Sequence, residues 1–243
     1  MNKISISNNK ITSNCIKVID NKIYLNNLSN VTIEYIDSDI NLFIYIENDI
    51  NIFEYIKDSN LNIIYNNESN AKIYRFSNNS SINTEINLNK KDITLDYFYS
   101  CINIDDNNYK IDINHNNKNT KANVINHGLN IKDNILDFTI NTNIPKESNE
   151  SVSNQESIIY LLGKNNSKIK PNLIIDNNDI IANHSSYIGH FKDESLFYLM
   201  TRGIDKEGAI ALLIKSFLIN DKNLNFKNLE LILNDIKNIL GVK

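Results

Sequence analysis

Apolar and polar residues alternate with a period of two from Ile4 to about Gly189. The segments VTIEYI, NLFIYI, INIFEYI, AKIYRF and DITLDYFYSCINI show this most clearly. Because side chains on a strand point alternately to its two faces, the alternation predicts half-buried β-strands. Ile, Tyr, Phe and Val hold most of the apolar positions and pack well on a pleated surface. The pattern therefore predicts a mainly β protein over this region.

The breaks between these segments consist mainly of Asn, Asp and Ser. Their short polar side chains bond to the local backbone, and Asn in particular tolerates the left-handed conformation, so Asn can replace scarce Gly. Many short strands at irregular spacing are compatible with a sandwich, a barrel or a β-solenoid. No Asn-Gly or Asp-Gly pair occurs in the chain. Since these pairs are the strongest short-hairpin signals, their absence favours a solenoid with an Ile-rich interior.

One stretch inside the β region lacks the alternation. Residues 143–156, NIPKESNESVSNQE, are polar and rich in Ser and Asn. Such clusters between periodic segments are typical of loops. We therefore expect a loop here.

After Gly189 the apolar period becomes helical. A first helix is expected from Lys192 or Asp193 to Gly203, and a second from its N-cap Asp205 to about Ile219. The second helix has a predicted stripe of Ala209, Leu212, Leu213, Ser216 and Phe217. A third is expected to start at Asn223 or Asn225, to end before Gly241, and to carry the stripe Leu229, Leu231, Ile232, Ile236 and Ile239. The predicted domains are thus a β core over 1–189 and a helical C-terminal domain over 190–243.

The composition narrows the possible functions. Asn and Ile each make up roughly a fifth of the residues, which indicates codon drift in an AT-rich genome. The net charge of −4, with scattered basic residues, gives no footprint for nucleic acid. No apolar run approaches the ~20 residues of a membrane span, and the N-terminus lacks a signal-peptide core. Cys15 and Cys101 are far apart, so a reducing compartment is expected, with structural roles for both.

Few residues suggest chemistry by motif alone. His115, His127, His184 and His190 show no zinc-like spacing, so any metal site with Cys101 would depend on the fold. There is no GxxxxGK[ST], GxGxxG or GxSxG sequence, which argues against an ATPase, a dinucleotide enzyme and a serine hydrolase. Motif analysis alone therefore identifies no class of enzyme.

The segment KPNLIIDNNDIIANHSSYIGHFKDESLFYLMTRG, residues 170–203, is the most specific feature of the chain. It resembles the C-terminal signature of the SufB/SufD family, the scaffold proteins of iron–sulfur cluster assembly in the SUF system. That signature has the form K-P-x-L-x-I, then D-[VI]-x-C-x-H-x-A-x-[VT]-G, then L-F-Y-L and x-R-G. The matching residues fall in register without a gap: Lys170, Pro171, Leu173, Ile175, Asp179, His184, Gly189, Leu196, Phe197, Tyr198, Leu199, Arg202 and Gly203. The family's Cys is replaced by Ala182.

The resemblance implies a right-handed parallel β-helix followed by a small C-terminal helical domain. It implies a non-catalytic scaffold subunit, most like a shortened SufD, that pairs with SufB through the β-helix. The ATPase SufC would dock on the C-terminal helices, with Leu196, Phe197, Tyr198, Arg202 and Gly203 as candidate contacts. The helical region that family members normally carry before the β-helix is not expected, since strand periodicity begins at Ile4.

His184 is the candidate residue for cluster assembly and for a metal. The matching His of SufD lies near the SufB interface where a transient iron–sulfur cluster is thought to form, and imidazole suits iron. Because the methyl group of Ala182 cannot bind metal or carry sulfur, a partner's Cys would have to supply the thiolate. The expected location is the cytoplasm, with a plastid stroma as the alternative, and no nucleic-acid or membrane partner is expected.

Four alternatives remain open from the sequence. Within the family, the chain could be a SufB-like subunit with a degenerate site. A carbohydrate-active β-solenoid enzyme would use clustered carboxylates, for which Asp105, Asp106 and Asp112 are candidates. A structural or adhesive repeat protein is a third possibility. The helices could also simply cap the open end of the solenoid.

Overall fold

The computed structural model describes residues 2–16, 18–164, 166–219 and 229–240, and within them the chain forms a β-solenoid followed by helices. The first sheet, sheet A, has the spatial order β17-β15-β13-β11-β9-β7-β5-β1-β2. Its strands are β1 Lys3–Ser7, β2 Lys10–Ser13, β5 Asn30–Ile36, β7 Ile50–Lys57, β9 Ala71–Asn78, β11 Thr94–Asn103, β13 Lys121–Asn130, β15 Ser151–Leu161 and β17 Ile180–Gly189. Sheet B has the order β16-β14-β12-β10-β8-β6-β4-β3. Its strands are β3 Val18–Ile19, β4 Lys22–Tyr24, β6 Asp39–Ile46, β8 Asn60–Asn67, β10 Ser81–Leu88, β12 Asn107–His115, β14 Leu136–Ile144 and β16 Lys168–Ile175.

From β4 onward, successive strands alternate between the two sheets, and each pairs in parallel with the strand one coil away. Side chains in equivalent positions therefore stack in ladders along the solenoid. Ladder partners are 21 residues apart between β7 and β9, 27 apart between β11 and β13, and 31 apart between β13 and β15. This arrangement confirms the predicted parallel β-helix and excludes the sandwich and the barrel.

Asn and Asp provide the turns that Gly provides in other proteins. Asp37, Asp58 and Asn79 occupy equivalent corners of successive coils, each with φ between 45° and 49°. The polar side chains of Asn and Asp make this left-handed region less costly than it is for other non-Gly residues. The prediction that Asn replaces Gly at turns is therefore confirmed at this corner.

Two hairpins close the first end of the solenoid, although the absence of Asn-Gly and Asp-Gly argued against hairpins. β1 and β2 are antiparallel and joined by Asn8 and Asn9, with φ of 49° and 64°. β3 and β4 are antiparallel and joined by Asp20 and Asn21, with φ of 48° and 59°. Two positive φ values in a two-residue turn are typical of type I′. The sequence argument was wrong here because Asn and Asp adopt these angles without Gly.

The interior of the solenoid is mostly aliphatic. Ile33, Ile52, Ile73, Ile63 and Ile111 are all fully buried there. The predicted Ile-rich interior is confirmed for these coils. Each aliphatic side chain contributes roughly 1.5–3 kcal/mol of transfer free energy on full burial.

The loop predicted over residues 143–156 is wrong for most of its length. Strand β14 continues to Ile144, and strand β15 begins at Ser151. The strand was missed because β15 places Ser151, Ser153, Gln155 and Ser157, rather than aliphatic residues, on its buried face. Burial of polar residues removes the alternation on which the prediction depended.

The C-terminal helices are α1 Asp193–Thr201, α2 Lys206–Leu218 and α3 Leu229–Leu240. Asp205 caps α2 as predicted, because its Oδ1 accepts the Gly208 N–H at 2.8 Å. The predicted stripe of α2 is partly wrong: Ala209 is buried, but Leu212 is 45% exposed and Ile214 and Leu218 are buried instead. In α3, Ile232 and Ile236 are buried as predicted, but Leu231 of the predicted stripe is 39% exposed. The proposed start at Asn223 or Asn225 lies outside the described residues.

Helices α2 and α3 pack along the outer face of sheet A rather than over the end of the solenoid. Their buried residues Ile214, Leu218, Ile232 and Ile236 form one apolar cluster with Tyr55, Phe76, Ile102 and Leu129. Asp235 of α3 accepts a hydrogen bond from the Tyr55 hydroxyl at 2.6 Å and lies 3.5 Å from the Lys57 ammonium. The alternative that the helical pair of residues 195–217 caps the open end is therefore wrong for α2.

Candidate functional site

The last coil, β16 and β17, forms an open end of the solenoid. Within the described residues, β16 pairs only with β14 and β17 only with β15, so each leaves one backbone edge unpaired. Pro171 lies in β16, as expected for a residue that is confined to edge strands. Ile174 and Ile181 of this coil are 58% and 60% exposed. The coil thus presents unpaired backbone and apolar side chains together.

His184 lies near the middle of β17, directly beside Gln155 of β15 in the parallel register. In-register neighbours project to the same face of a sheet, and Gln155 faces the interior. His184 therefore belongs to the interior ladder, but it is exposed because no further coil covers it in the described structure. Ala182 occupies the adjacent interior position, beside Ser153.

The interior beneath this coil is polar. Gln155 Nε2 donates to Thr142 Oγ1 at 2.6 Å, and Thr142 Oγ1 lies 3.2 Å from Ser153 Oγ. Asn126 Nδ2 donates to Ser157 Oγ at 3.1 Å. The Gln155 Oε1 and Asn126 Oδ1 atoms are buried without a hydrogen-bond partner in the described structure. We call the set Asn126, Thr142, Ser153, Gln155 and Ser157 the polar layer.

The other three histidines are distributed away from His184. His115 is fully buried at the end of β12, where its Nδ1 lies 2.7 Å from Thr120 Oγ1, and burial lowers its pKa to about 4. His127 is on the outer face of sheet A, where its Nδ1 donates to the Phe217 carbonyl at 2.8 Å. Burial lowers the pKa of His127, although the Phe217 carbonyl and Glu156 oppose this. His190 lies beyond β17 and donates from Nδ1 to the Leu161 carbonyl at 2.8 Å.

These positions give no protein-only metal site. Among the described residues, no group of three or more His, Cys, Asp or Glu side chains could hold a metal ion. Burial raises the pKa of the Cys101 thiol to about 12, so the thiolate that binds metal or attacks sulfur is disfavoured. Cys15 lies in another part of the chain, with its thiol 3.5 Å from Ser13 Oγ. A metal at His184 would need further ligands from outside the described residues.

The carboxylates of the carbohydrate-enzyme alternative do not converge on one site. Asp105 accepts from Asn79 Nδ2 at 3.0 Å, and Asp106 accepts the Ile135 N–H at 2.7 Å. Asp112 lies on strand β12, where it forms an ion pair with Lys110 at 2.7 Å. Each acid thus has a local structural partner, and nothing in this arrangement favours glycoside chemistry.

Helix α1 forms a largely exposed apolar surface, which we call the α1 surface. No residue of α1 is buried, and Phe197, Tyr198 and Met200 are 70%, 57% and 45% exposed. Leu196, by contrast, is only partly exposed. Leu212 of α2, at 45%, adds to the exposed apolar residues of this helical region.

Arg202 and Gly203, two of the candidate partner-binding residues, fix the C-terminal end of α1. Arg202 lies over the Tyr198 ring, 5.1 Å from its centroid, and donates to its hydroxyl at 3.1 Å. Gly203 has φ of 84°, donates to the Met200 carbonyl, and is followed by an Ile204 N–H that bonds back to Leu199. These are the bonds of a Schellman motif, so the structure gives Gly203 the role of ending the helix.

Comparison with known proteins agrees with this geometry. The model of the SUF system FeS cluster assembly SufBD core domain matches residues 59–217, more than half of the 243-residue chain. The chain belongs to the SufBD family of iron–sulfur cluster assembly proteins. The family resemblance seen in residues 170–203 is thereby confirmed.

Two curated relatives align over short stretches. The iron–sulfur cluster assembly protein SufD of Bacillus subtilis (strain 168) is 42% identical over 65 residues, which are 26% of this chain and 15% of that protein. An iron–sulfur cluster assembly SufBD family protein of Mycobacterium leprae (strain TN) is 50% identical over 48 residues, 19% of this chain and 12% of that protein. The alignments therefore span only a small part of either relative.

The SufBD core match includes the open coil, the polar layer and helices α1 and α2. The fold brings Ala182, His184 and Gly189 together on β17, and it places the helical candidates Leu196, Phe197, Tyr198, Arg202 and Gly203 on and after α1. Sequence reasoning missed the polar layer entirely. The available signal was the spacing of Ser151, Ser153, Gln155 and Ser157, a period-two pattern of polar instead of apolar residues.

Proposed function

We propose that this chain is a non-catalytic scaffold subunit of the SUF complex, of the SufD type. It pairs with SufB through the open coil and docks the ATPase SufC through the α1 surface. Membership of the SufBD family supports a role in iron–sulfur cluster assembly. The observation that carries the finer proposal is the presence of two separate, exposed apolar surfaces, one on each side of the residue 189 boundary.

The open coil has the properties of a pairing surface. Unpaired strand edges recruit further strands through backbone hydrogen bonds. Ile175 of the sheet B edge strand and Ile188 of the sheet A edge strand are register partners of buried Ile144 and Ile159. They are 39% and 38% exposed, so both edges carry an exposed aliphatic side chain on an interior row. A second β-helix that stacks on this coil would bury these groups and continue the interior ladders. We assign that place to SufB.

The α1 surface has the properties of a docking site for a globular partner. A helix that has no buried residue yet exposes Phe197, Tyr198 and Met200 is typical of an interaction element. The Arg202 guanidinium stacked on Tyr198 adds an aromatic–arginine pair, a combination enriched in binding hot spots. We assign this surface to SufC.

An iron–sulfur cluster is cargo for this protein, and the chain contributes a single ligand to it. Iron–sulfur clusters are held mainly by Cys thiolates, with His as an occasional replacement. His184 supplies an imidazole at the open coil, whereas Ala182 supplies none of the sulfur chemistry. The thiolate ligands must therefore come from SufB. The protein works beside SufB in the cytoplasm or in a plastid stroma. This division of labour favours SufD over a SufB-like subunit with a degenerate site.

Affinity capture with co-expressed SufB tests the pairing. The wild-type chain is expected to capture SufB, whereas the Ile175→Lys/Ile188→Lys double variant places two charges on the interior rows of the interface and should lose it. The control is Ile19→Lys, which charges an Ile that is 50% exposed at the other end of the solenoid. Absence of SufB from the captured wild-type protein, or equal capture by the double variant, would contradict the pairing.

The His184→Ala variant of this chain tests the role of the imidazole. It should capture SufB normally, but the captured complex should accumulate less iron–sulfur cluster, measured by visible absorbance.

A further inference from the structure

The buried amide of Gln155 is the feature of the open coil that the proposed function leaves unexplained. Gln155 is only 4% exposed, and its Nε2 is used in the 2.6 Å bond to Thr142. Its Oε1 is buried and has no hydrogen-bond partner within the described structure. Leaving a buried acceptor unsatisfied costs roughly 1–3 kcal/mol, so such a group calls for an explanation.

His184 is the ladder neighbour of Gln155 on the open side of the solenoid. Gln155 and His184 are register partners in adjacent parallel strands, and their side chains project to the same face. The other two members of the interior row of β17 near this point are Ala182 and Ser186. Only His184 carries an N–H on a side chain long enough to turn toward a neighbouring amide.

The nitrogen end of the Gln155 amide is held by a hydrogen bond. Thr142 Oγ1, which receives the Gln155 N–H, lies within 3.2 Å of Ser153 Oγ, so the amide nitrogen is tied into the polar layer. The oxygen is thereby left as the free end of the amide. The previous coil of the same ladder carries the apolar Val124 at this position, so the interior row does not itself require an amide.

We propose that Gln155 is the positioning residue for His184: its Oε1 accepts one ring N–H of the imidazole and so directs the other ring nitrogen toward the open coil. Metal-binding histidines generally donate their second ring N–H to a carbonyl or carboxylate, which fixes both tautomer and ring orientation. The inference rests on the proposed function for its purpose. The proposed hydrogen bond involves residues of this chain alone and needs only a reorientation of the exposed His184 side chain.

Ring-nitrogen NMR of the full-length chain tests the contact without any SUF partner. The ¹⁵N shifts of His184 at about pH 8, assigned with a His184→Asn variant, give the ratio of the two neutral tautomers. Replacing the acceptor in Gln155→Leu should change that ratio about fivefold, as one hydrogen bond of about 1 kcal/mol implies. Gln155→Glu, which keeps an acceptor, should restore the wild-type ratio.

The matched control is Ser153→Ala. It removes a polar group from the same strand, face and polar layer, but beside Ala182 rather than His184. The proposal expects this variant to keep the wild-type tautomer ratio. A ratio that is the same in wild type and Gln155→Leu, or that Ser153→Ala changes equally, overturns the proposal. Because the measurement needs neither SufB nor SufC, a failed SufB capture with a positive NMR result would reject the proposed function and leave the positioning intact.

Discussion

Arg75 and Glu54 form an ion pair in the interior of the solenoid, with Nε 2.7 Å from Oε2 and both side chains completely buried. They are ladder neighbours in β9 and β7. The Tyr35 and Tyr65 hydroxyls donate to Glu54 Oε1 at 2.9 and 2.6 Å, and Arg75 also donates to Thr84 at 2.6 Å. Each charge is thus satisfied by several partners, which is the condition under which a buried pair is tolerated.

Removing one partner of this pair should be far more costly than removing both. Arg75→Met or Glu54→Met leaves an unpaired buried charge and is expected to lower the free energy of unfolding by roughly 3–5 kcal/mol. The double variant removes both charges, so its loss should be smaller than the sum of the two single losses. Urea denaturation of the four proteins measures this. Additive losses would show that the two residues do not act as a pair.

The stability of the protein should fall as the pH drops from about 6.5 to 4. The pKa of buried His115 is lowered to about 4, so between these values the unfolded chain takes up a proton that the folded chain does not. The stability is therefore greatest above the unfolded pKa, and the loss approaches roughly 3 kcal/mol near pH 4.

The His115→Leu variant isolates this contribution. Thr120, the partner of His115, keeps its bonds to Ser151 and the Asn117 carbonyl. The pH profile of the variant should be flatter than that of the wild type, although the lowered pKa of His127 leaves a residual slope. Parallel unfolding curves for the two proteins between pH 8 and pH 4 would contradict the assignment to His115.

The Tyr55 hydroxyl should hold α3 against sheet A. It donates to the buried Asp235 carboxylate at 2.6 Å, so Tyr55→Phe leaves that carboxylate with one donor fewer. We expect a loss of about 1–3 kcal/mol in the free energy of unfolding and faster hydrogen exchange of residues 229–240. Tyr45→Phe, which removes a hydroxyl from sheet B, is the control. Unchanged exchange in Tyr55→Phe would show that the hydrogen bond does not secure the helix.

The parts of the fold that depend on local chemistry could be predicted from the sequence. The period-two pattern predicted the strands, and Asp205 predicted the start of α2, because both signals depend only on nearby residues. The resemblance in residues 170–203 located the open coil and α1. These elements need no knowledge of distant contacts.

The parts that depend on long-range packing could not be predicted. β15 was taken for a loop because its buried face is polar, and only the fold shows that Gln155 faces an interior. The stripe of α2 was partly wrong because sheet A, not the helix's own periodicity, decides that Ile214 is buried and Leu212 exposed. The contacts between α3 and Tyr55 join residues 180 positions apart and leave no local signal.

The central claim, that the chain is a SUF scaffold, is tested most directly by the binding of purified SufC to the full-length protein, measured by isothermal titration calorimetry. Truncation after Gly189 would expose the apolar cluster on sheet A, so substitutions on α1 are the sharper probe. Phe197→Ser/Met200→Ser is expected to weaken SufC binding at least about tenfold, as hot-spot aromatic residues imply. Tyr24→Ser, at the far end of the solenoid, should bind normally. A folded wild-type chain that does not bind SufC, or a double variant that binds as well as wild type, would contradict the account.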